Sequence, residues 1–359
     1  MRILSLDLGD FNAQSAWNFF DDEGGEIGSG VALTTEPALR DLIDAWSPDI
    51  VLCEACLLTH LAVDAGASAQ KPCRVIAANT NADAWRWSKT KVKTDQKDCE
   101  RLIKLFRLGE LEEVFIPDAP QREMRRLITH RGNLVAKRAG AYNAIRSLCK
   151  RHQVLLPSGD AAWSQQGLRD IFALTHSARW TKAVTCTDPD IWRMELQHHL
   201  MLVRLCNKQI KEVERVISHA LAQSPLAKVV QTAPGIGPHI AAALMAFIGS
   251  AQRFPSGKHI ASYLGLVPRI YQSGKSERHG GITKAGNQRL RKLLINGTWQ
   301  AIRFNPWAKE LFERLTGGSD SKVRRKKAIV AVARRLVIRC WAMMRDETAW
   351  KPRPTPTGA

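Results

Sequence analysis

The sequence predicts an α/β part built on a mixed sheet, followed by a longer, mainly helical part. Three observations carry that expectation. Short apolar runs of strand character crowd the first eighty or so residues, with glycine turns between them. Strands come first and then alternate with helices, the order of a mixed sheet covered by helices. Two later stretches, 121–150 and 191–222, repeat apolar residues at helical spacing.

Taken in order, residues 2–8, 14–20 and 26–33 read as strands, with Gly24-Gly25 turning between the last two. Residues 37–45 read as a helix, 49–54 as a short buried strand, 57–65 as a helix and 74–77 as a strand. Gly66 reads as the stop of the 57–65 helix. Helix resumes from about residue 97 to 108. In 121–150 the apolar marks are Leu127, Leu134, Ala141, Ile145 and Leu148. In 191–222 they are Leu196, Leu200, Val203, Ile210, Val213 and Ile217. The connection at 152–190 shows little periodicity. Two long helices around it suggest an antiparallel hairpin, either an arm or a helical layer on the first domain. A third region begins near Val229, where Pro234-Gly235-Ile236-Gly237-Pro238 precedes an Ala-rich helix at 240–249. This has the form of a helix-hairpin-helix turn, whose exposed N–H groups at Gly235 and Gly237 would meet a phosphate; a plain turn between helices fits as well. The expected division is 1–120, 121–225, 226–348 and a disordered tail at 349–359.

With 359 residues, 45% of them hydrophobic, the chain can bury a large core and more than one domain. Lys and Arg number 53 against 34 acidic residues, a net charge of +19. Charge of that size favours a polyanionic partner, nucleic acid ahead of an anionic membrane surface. No apolar stretch is long enough to cross a bilayer, and Asp7 and Asp10 interrupt the first apolar run against a signal peptide. Eight scattered cysteines fit a reduced, cytoplasmic protein. Cys53 and Cys56 have C-x-x-C spacing without a second pair, and both are expected as small core residues.

Four acids form the first chemical constellation. Asp7 lies in Ile3-Leu4-Ser5-Leu6-Asp7-Leu8-Gly9, and Glu54 ends Ile50-Val51-Leu52-Cys53-Glu54. Each alone reads as structural, yet unpaired charge in a buried strand is costly. Asp95 and Asp98, three apart, share a helix face and repel unless a cation neutralises them. Carboxylates suit hard Mg²⁺ or Mn²⁺, and a pair of such ions can clamp a phosphodiester. Lys89, Lys91, Lys93 and Lys97 surround the second pair and either guide a nucleic-acid backbone or form a solvated loop.

The second constellation runs Tyr263-Leu264-Gly265-Leu266-Val267-Pro268-Arg269, Gln272-Ser273-Gly274-Lys275 and Gly280-Gly281-Ile282-Thr283-Lys284-Ala285-Gly286-Asn287. Arg269, Lys275, Arg278 and Lys284 make a field that stabilises alkoxide and phosphate charge. The residues alone favour a phosphate-gripping loop over a nucleophile, and nothing places His279 as a base for Ser273. A third basic cluster comprises Lys322, Arg324, Arg325, Lys326, Lys327, Arg334, Arg335 and Arg339, a density that favours phosphate contact. Trp85, Trp87, Trp299 and Trp307 are expected to fill cores.

These residues resemble a known family. Asp7, Glu54, Asp95 and Asp98 are similar to the D-E-D-D set of the DEDD transposases of the insertion-sequence 110/1111 family, relatives of the Piv invertases. Lys93-Thr94-Asp95-Gln96-Lys97-Asp98-Cys99 follows the family's K-x-D-x-x-D-A-like stretch. P-G-I-G-P, R-F, Y-L-G-L-V-P-R, S-G-K and G-G-I-T-K-A-G-N occur in the family's order. The likeness covers about residues 1–150 and 200–345. It implies an RNase H-like (RuvC-like) first domain, a helical coiled-coil arm and a mainly helical C-terminal transposase domain. It further implies Mg²⁺ at the four acids and a serine that links covalently to DNA, which by position is Ser273, with Ser276 the lesser candidate. Many relatives carry Ser-Ser before the glycine; this chain has Gln272-Ser273. Asp10 stands where relatives often carry a basic or small polar residue. A structured noncoding bridge RNA and assembly as dimers and tetramers are implied as well.

The sequence therefore leads to the expectation of a DNA recombinase that moves its own insertion element through a phosphoserine intermediate. A RuvC-like nuclease or junction resolvase acting by hydrolysis would need the acids and not Ser273. A nucleic-acid-binding protein without catalysis would need neither.

Overall fold

In this computed structural model, residues 1–82, 94–175, 190–273 and 276–351 are described, with backbone alone at 270, 272, 273 and 276–279. The chain divides into two compact units, Met1–Pro117 and Asp118–Ala359.

Central strands buried on both faces set the frame of the first unit. Strands β1 (Ile3–Asp7), β2 (Gln14–Phe20), β3 (Glu26–Leu33), β4 (Ile50–Glu54), β5 (Arg74–Ala78) and β6 (Glu113–Val114) make a six-stranded sheet in the order β3-β2-β1-β4-β5-β6. β1 runs parallel to β4, and β4 to β5; the other neighbours are antiparallel. This is a mixed sheet, consistent with the RNase H-like expectation. Side chains alternate between its faces. Leu4, Leu6, Val51 and Cys53 pack with Leu39 and Ile43 of α1 (Glu36–Trp46) and Ala62 and Ala65 of α2 (Thr59–Ser68). Ile3 and Leu52 pack on the opposite face with Leu102 and Ile103 of α3 (Asp95–Arg107).

Local chemistry explains the helix starts. Thr35 caps α1 by accepting from the Ala38 N–H at 3.4 Å, with Pro37 in the first turn. Thr94 caps α3 by accepting from the Lys97 N–H at 3.3 Å. Gly66 does not stop α2, which runs on to Ser68. A Cβ there would meet Val75 at 2.7 Å, so the glycine lets α2 approach β5. Cys53 is buried as expected, whereas Cys56 is exposed beyond the end of β4.

The second unit is mainly helical. α4 (Ala119–Arg151) and α6 (Ile191–Ala222) pack along each other. Arg131 meets Glu214, Arg138 meets Asn207, and His152 stacks on Trp192, so the two helices run antiparallel. Asp118 caps α4 by accepting from the Gln121 N–H at 2.8 Å. The expected apolar stripe is buried at Leu134, Ala141, Ile145 and Leu148, while Leu127 is half-buried beside buried Ile128. The described part of the connection, 152–175, is more ordered than its composition suggests. It holds a short 3-10 turn (Ala161–Trp163) and α5 (Gln165–Ala173), whose Ile171 packs with Leu196 and Leu200. Tyr142 stacks on Trp163 with ring centroids 3.9 Å apart.

The remainder comprises α7 (Pro225–Gln231), α8 (Pro238–Ile248), α9 (Gly257–Tyr263), the hairpin β7 (Pro268–Ser273) and β8 (Ser276–Ile282), α10 (Gln288–Phe304), α11 (Pro306–Thr316) and α12 (Lys322–Asp346). α7 starts ahead of Val229, where Ser224 accepts from the Ala227 N–H. No described helix is long and apolar enough to cross a membrane.

Gly235 has φ +74°, and a Cβ there would lie 2.0 Å from the Gly297 carbonyl oxygen. The glycine turn is thus a close packing of backbone on α10. Left-handed strain and the clash together predict that Gly235→Ala costs about 3 kcal/mol. Thermal unfolding followed by circular dichroism should show the midpoint falling by roughly 6–12 °C.

Candidate active site

Asp7 and Glu54 close β1 and β4, adjacent parallel strands held in register through Leu6 opposite Cys53. Neighbouring strands lie about 4.8 Å apart. By the pleat, Asp7 falls on the face of Ile3 and Ser5, and Glu54 on the face of Leu52, which is the face α3 covers. The Ser5 hydroxyl donates to the Cys99 carbonyl at 2.9 Å, and the Cys99 thiol donates to the Ala16 carbonyl at 3.5 Å. These bonds fix the start of α3 beside the end of β1, since Ala16 pairs with Asp7. Asp98, next to Cys99, is buried at 7% exposure; Asp95, one turn earlier, is exposed.

Tight turns hold both strand exits. The Gly9 N–H donates to the Ser15 hydroxyl, itself bonded to Thr34 at 2.7 Å. A Cβ on Gly9 would come within 2.3 Å of the Gln14 carbonyl, so close approach requires the glycine. After Glu54, Thr59 Oγ1 donates to the Glu54 carbonyl at 3.1 Å and accepts from the Cys56 N–H at 2.8 Å.

Two neighbours report the field of the acids. Burial pushes the Cys99 thiol up to about 12, and the charges of Asp7 and Asp98 add to the rise. Burial pulls the Arg101 guanidinium below its ordinary value, and Asp98 and Glu54 oppose that fall. Arg101, one turn after Asp98, is thus a cation in the field of two of the four acids. Its spacing of three from Asp98 is the signal of it in the sequence.

The backbone brings Asp7, Glu54 and the Asp95–Asp98 turn to one end and one face of the sheet. Among the described residues, no three His, Cys, Asp or Glu side chains are gathered tightly enough to hold a metal ion. The donors themselves are carboxylates beside a neutral thiol, a set that suits a hard cation over zinc. Lys97 is exposed on α3, while Lys89, Lys91 and Lys93, with Trp85 and Trp87, lie outside the described residues.

The thiols give a direct check of this environment. Cys53 is pushed far up by burial, and Cys340, like Cys99, rises to about 12. Native protein treated with iodoacetamide at pH 8 should therefore label at exposed Cys56 while Cys53, Cys99 and Cys340 stay unmodified until denaturant is added. Peptide mass spectrometry reads the order. Early labelling at Cys99 would contradict the packing of α3 on β1.

In the second unit, the backbones of Ser273 and Ser276 pair across the β7–β8 hairpin; Lys275 lies outside the described residues and Arg278 is described by backbone alone. The motifs flanking the hairpin pack on each other. Gly265 and Gly286 have φ of +62° and +70°, and a Cβ on Gly286 would lie 1.8 Å from the Tyr263 carbonyl. Arg291, unmarked by any motif, donates to the carbonyls of Leu264 and Ala285 at 2.8 and 2.9 Å. Arg269 donates to the Thr283 carbonyl at 3.3 Å, and Lys284 is exposed.

Gly237 caps α8 with open space around it, whereas Gly235 packs its backbone on α10. On α12, Lys322, Arg324, Arg325, Lys326 and Lys327 are all exposed on the first two turns. Arg339 is used internally: it donates to the Lys351 carbonyl and lies 3.5 Å over the Trp350 ring. Trp307 meets Trp350 edge-on, but Trp299 is 40% exposed rather than a core residue.

Comparison with known proteins gives two family matches. A model of DEDD-type IS110 transposases matches residues 13–153, which include Glu54, Asp95 and Asp98. A model described as transposase, IS116/IS110/IS902 family, matches residues 227–313, which include Ser273. A candidate transposase of Sinorhizobium fredii, y4rJ, is 29% identical over 275 residues, 70% of this chain and 66% of its own. A protein of Pseudomonas aeruginosa named as a probable family 20 transposase is 26% identical over 320 residues, 88% of this chain and 89% of its own. The transposase of insertion sequence element IS1111A of Coxiella burnetii is 27% identical over 267 residues, 71% of this chain and 68% of its own. The chain thus spans about two thirds of the length of the Sinorhizobium relative.

Proposed function

The chain belongs to the IS116/IS110/IS902 family of transposases, and from that premise we propose that it cuts and rejoins DNA strands at the ends of an insertion element. The observation that carries the reading is the meeting of Asp7, Glu54 and the Asp95–Asp98 turn at one end of the sheet. Asp7, Glu54, Asp95 and Asp98 would hold Mg²⁺ or Mn²⁺, which when bound supplies charge neutralisation at a phosphodiester.

The chain's own residues do the remaining chemistry. Ser273 Oγ attacks phosphorus, an Oγ–P bond forms, and one P–O bond to a deoxyribose breaks. The serine proton leaves Oγ, and the freed deoxyribose oxygen is protonated to a hydroxyl. In the second step a deoxyribose hydroxyl attacks the phosphoserine ester, a new P–O bond forms and Ser273 is released. Each step exchanges one ester for another, so no ATP is required. Arg269, Lys275, Arg278 and Lys284 flank the serine in sequence and would stabilise phosphate charge. The exposed Arg324, Arg325, Lys326 and Lys327 would hold DNA backbone. The family resemblance adds a structured noncoding RNA as guide and assembly of two or four copies, both part of this proposal.

Incubation of the protein with plasmid bearing the element ends, with and without the adjoining noncoding RNA, tests the reading. Joined products that require Mg²⁺ support it. Nicked or linear DNA with no joined product favours the hydrolytic nuclease instead.

A further inference from the structure

A cavity of about 360 Å³ opens in the second unit, walled by α4, α6, α8 and α10. It shares no lining residue with the β7–β8 hairpin. Its volume falls in the range of small-molecule sites. We propose that this cavity holds one unstacked nucleotide of the single-stranded nucleic acid that the protein handles, a site that rests on, and adds to, the transposase reading.

Its lining divides as a nucleotide does. Ile128, Val135, Ile217 and Leu293 make an apolar floor suited to the face of a base. Gln288, Lys292 and Asn296 follow at every fourth residue along α10 and are exposed at the rim. The amides can bond base edges, and the Lys292 ammonium can meet the phosphate. Arg289 is fixed beside it, donating to the Thr129 carbonyl at 3.3 Å and to Asn133 Oδ1 at 2.9 Å. Gly132 leaves room for that guanidinium, since a Cβ there would lie 2.6 Å from it.

One wall is held rigid by charged and polar pairing. Arg131 donates to Glu214 Oε1 through two nitrogens, at 2.9 and 2.6 Å. His239 Nε2 lies 3.2 Å from the same oxygen, so that nitrogen carries the proton toward Glu214. Burial, with Arg131 nearby, lowers the His239 value, although Glu214 pulls the other way. Nδ1 is then a lone-pair acceptor, buried and without a hydrogen-bond partner in the structure. A bare phosphate would leave the apolar floor unused. An apolar ligand would leave Lys292 and the Gln288 and Asn296 amides unmatched.

The test is photocrosslinking in EDTA, where no strand cutting competes, with short single-stranded DNA and RNA oligonucleotides that carry 5-iodouridine. The expected crosslinks fall in peptides of α4 around 128–136 or of α10 around 288–296. Lys292→Ala and Asn296→Ala, both exposed positions, should lower the yield there at least threefold. Leu293→Trp, which fills the floor, should abolish it while binding to an abasic oligonucleotide is kept. The DNA and RNA arms identify which strand supplies the nucleotide. Crosslinks confined to other peptides, or a yield unchanged in Lys292→Ala and Asn296→Ala, overturn the proposal even if Leu293→Trp does not fold. Because the assay involves neither metal nor Ser273, its failure leaves the strand-transfer reading standing, and the converse holds.

Discussion

Ser273→Ala should abolish the covalent protein–DNA adduct and joined products, a loss of more than about a thousandfold, while DNA binding is kept. The reason is chemical rather than steric. Alanine removes the only atom that can form the ester, whereas the flanking cations that grip phosphate remain. Denaturing gel electrophoresis of labelled DNA reads the adduct directly, because an ester bond survives detergent and a non-covalent complex does not. Ser276→Ala should retain the adduct, since its partner across the β7–β8 hairpin does the attacking.

Three outcomes separate the candidate chemistries. Adduct lost with Ser273→Ala and kept with Ser276→Ala supports transesterification from Ser273. The reverse pattern moves the nucleophile across the hairpin. Metal-dependent nicking that survives both substitutions without any adduct would establish hydrolysis. The glycine-locked base of the hairpin makes these substitutions informative. Gly265, Gly286 and Arg291 fix the chain through backbone contacts that involve neither serine, so loss of one hydroxyl leaves that scaffold in place.

The strands and long helices were legible because each signals itself locally. Residues 14–20 and 26–33 are short runs set off by tight turns, and 191–222 repeat at helical spacing, so their bounds in the structure match those read from the sequence. Elements that depend on remote partners were not. α5 is short, and its Ile171 gains burial only against Leu196 and Leu200, which arrive later in the chain. Gly66 carries the signature of a helix stop but serves close packing on β5. Gly235 has the form of a phosphate turn, and its seat on α10 depends on Gly297, sixty-two residues later.

The candidate sites divide the same way. Asp7 and Glu54 announced themselves as charges ending apolar runs, an expensive arrangement that singles out the residue. Arg101 carried no such mark, being one basic residue among many. His239 stands on α8 and Arg289 and Lys292 on α10, and they converge only through tertiary packing. No spacing rule within one segment can reveal a cavity of that kind.

Asp7→Asn, Glu54→Gln and Asp98→Asn should each lower strand cutting on the order of a thousandfold, with Asp95→Asn following in the same direction. Each change keeps side-chain volume and removes one anionic donor, so lost activity reports lost charge rather than lost packing. A second readout keeps the claim independent of turnover. Ligand binding to the native state stabilises it by RT ln(1 + [L]/Kd), about 2.7 kcal/mol at a hundredfold excess over Kd. Mg²⁺ or Mn²⁺ should therefore raise the melting temperature of the wild-type chain and fail to raise that of the three variants. Without metal the variants should melt close to the wild type. Replacing an acid relieves repulsion among like charges. Arg101 lies in the field of Asp98 and Glu54, so it already offsets part of that repulsion in the metal-free protein. Removing one acid then changes two opposed effects at once. Metal-dependent cutting that persisted in Asp98→Asn, or an equal metal-induced rise in all four proteins, would show that the end of the sheet is a structural acid cluster. The chemistry would then have to be sought elsewhere in the chain.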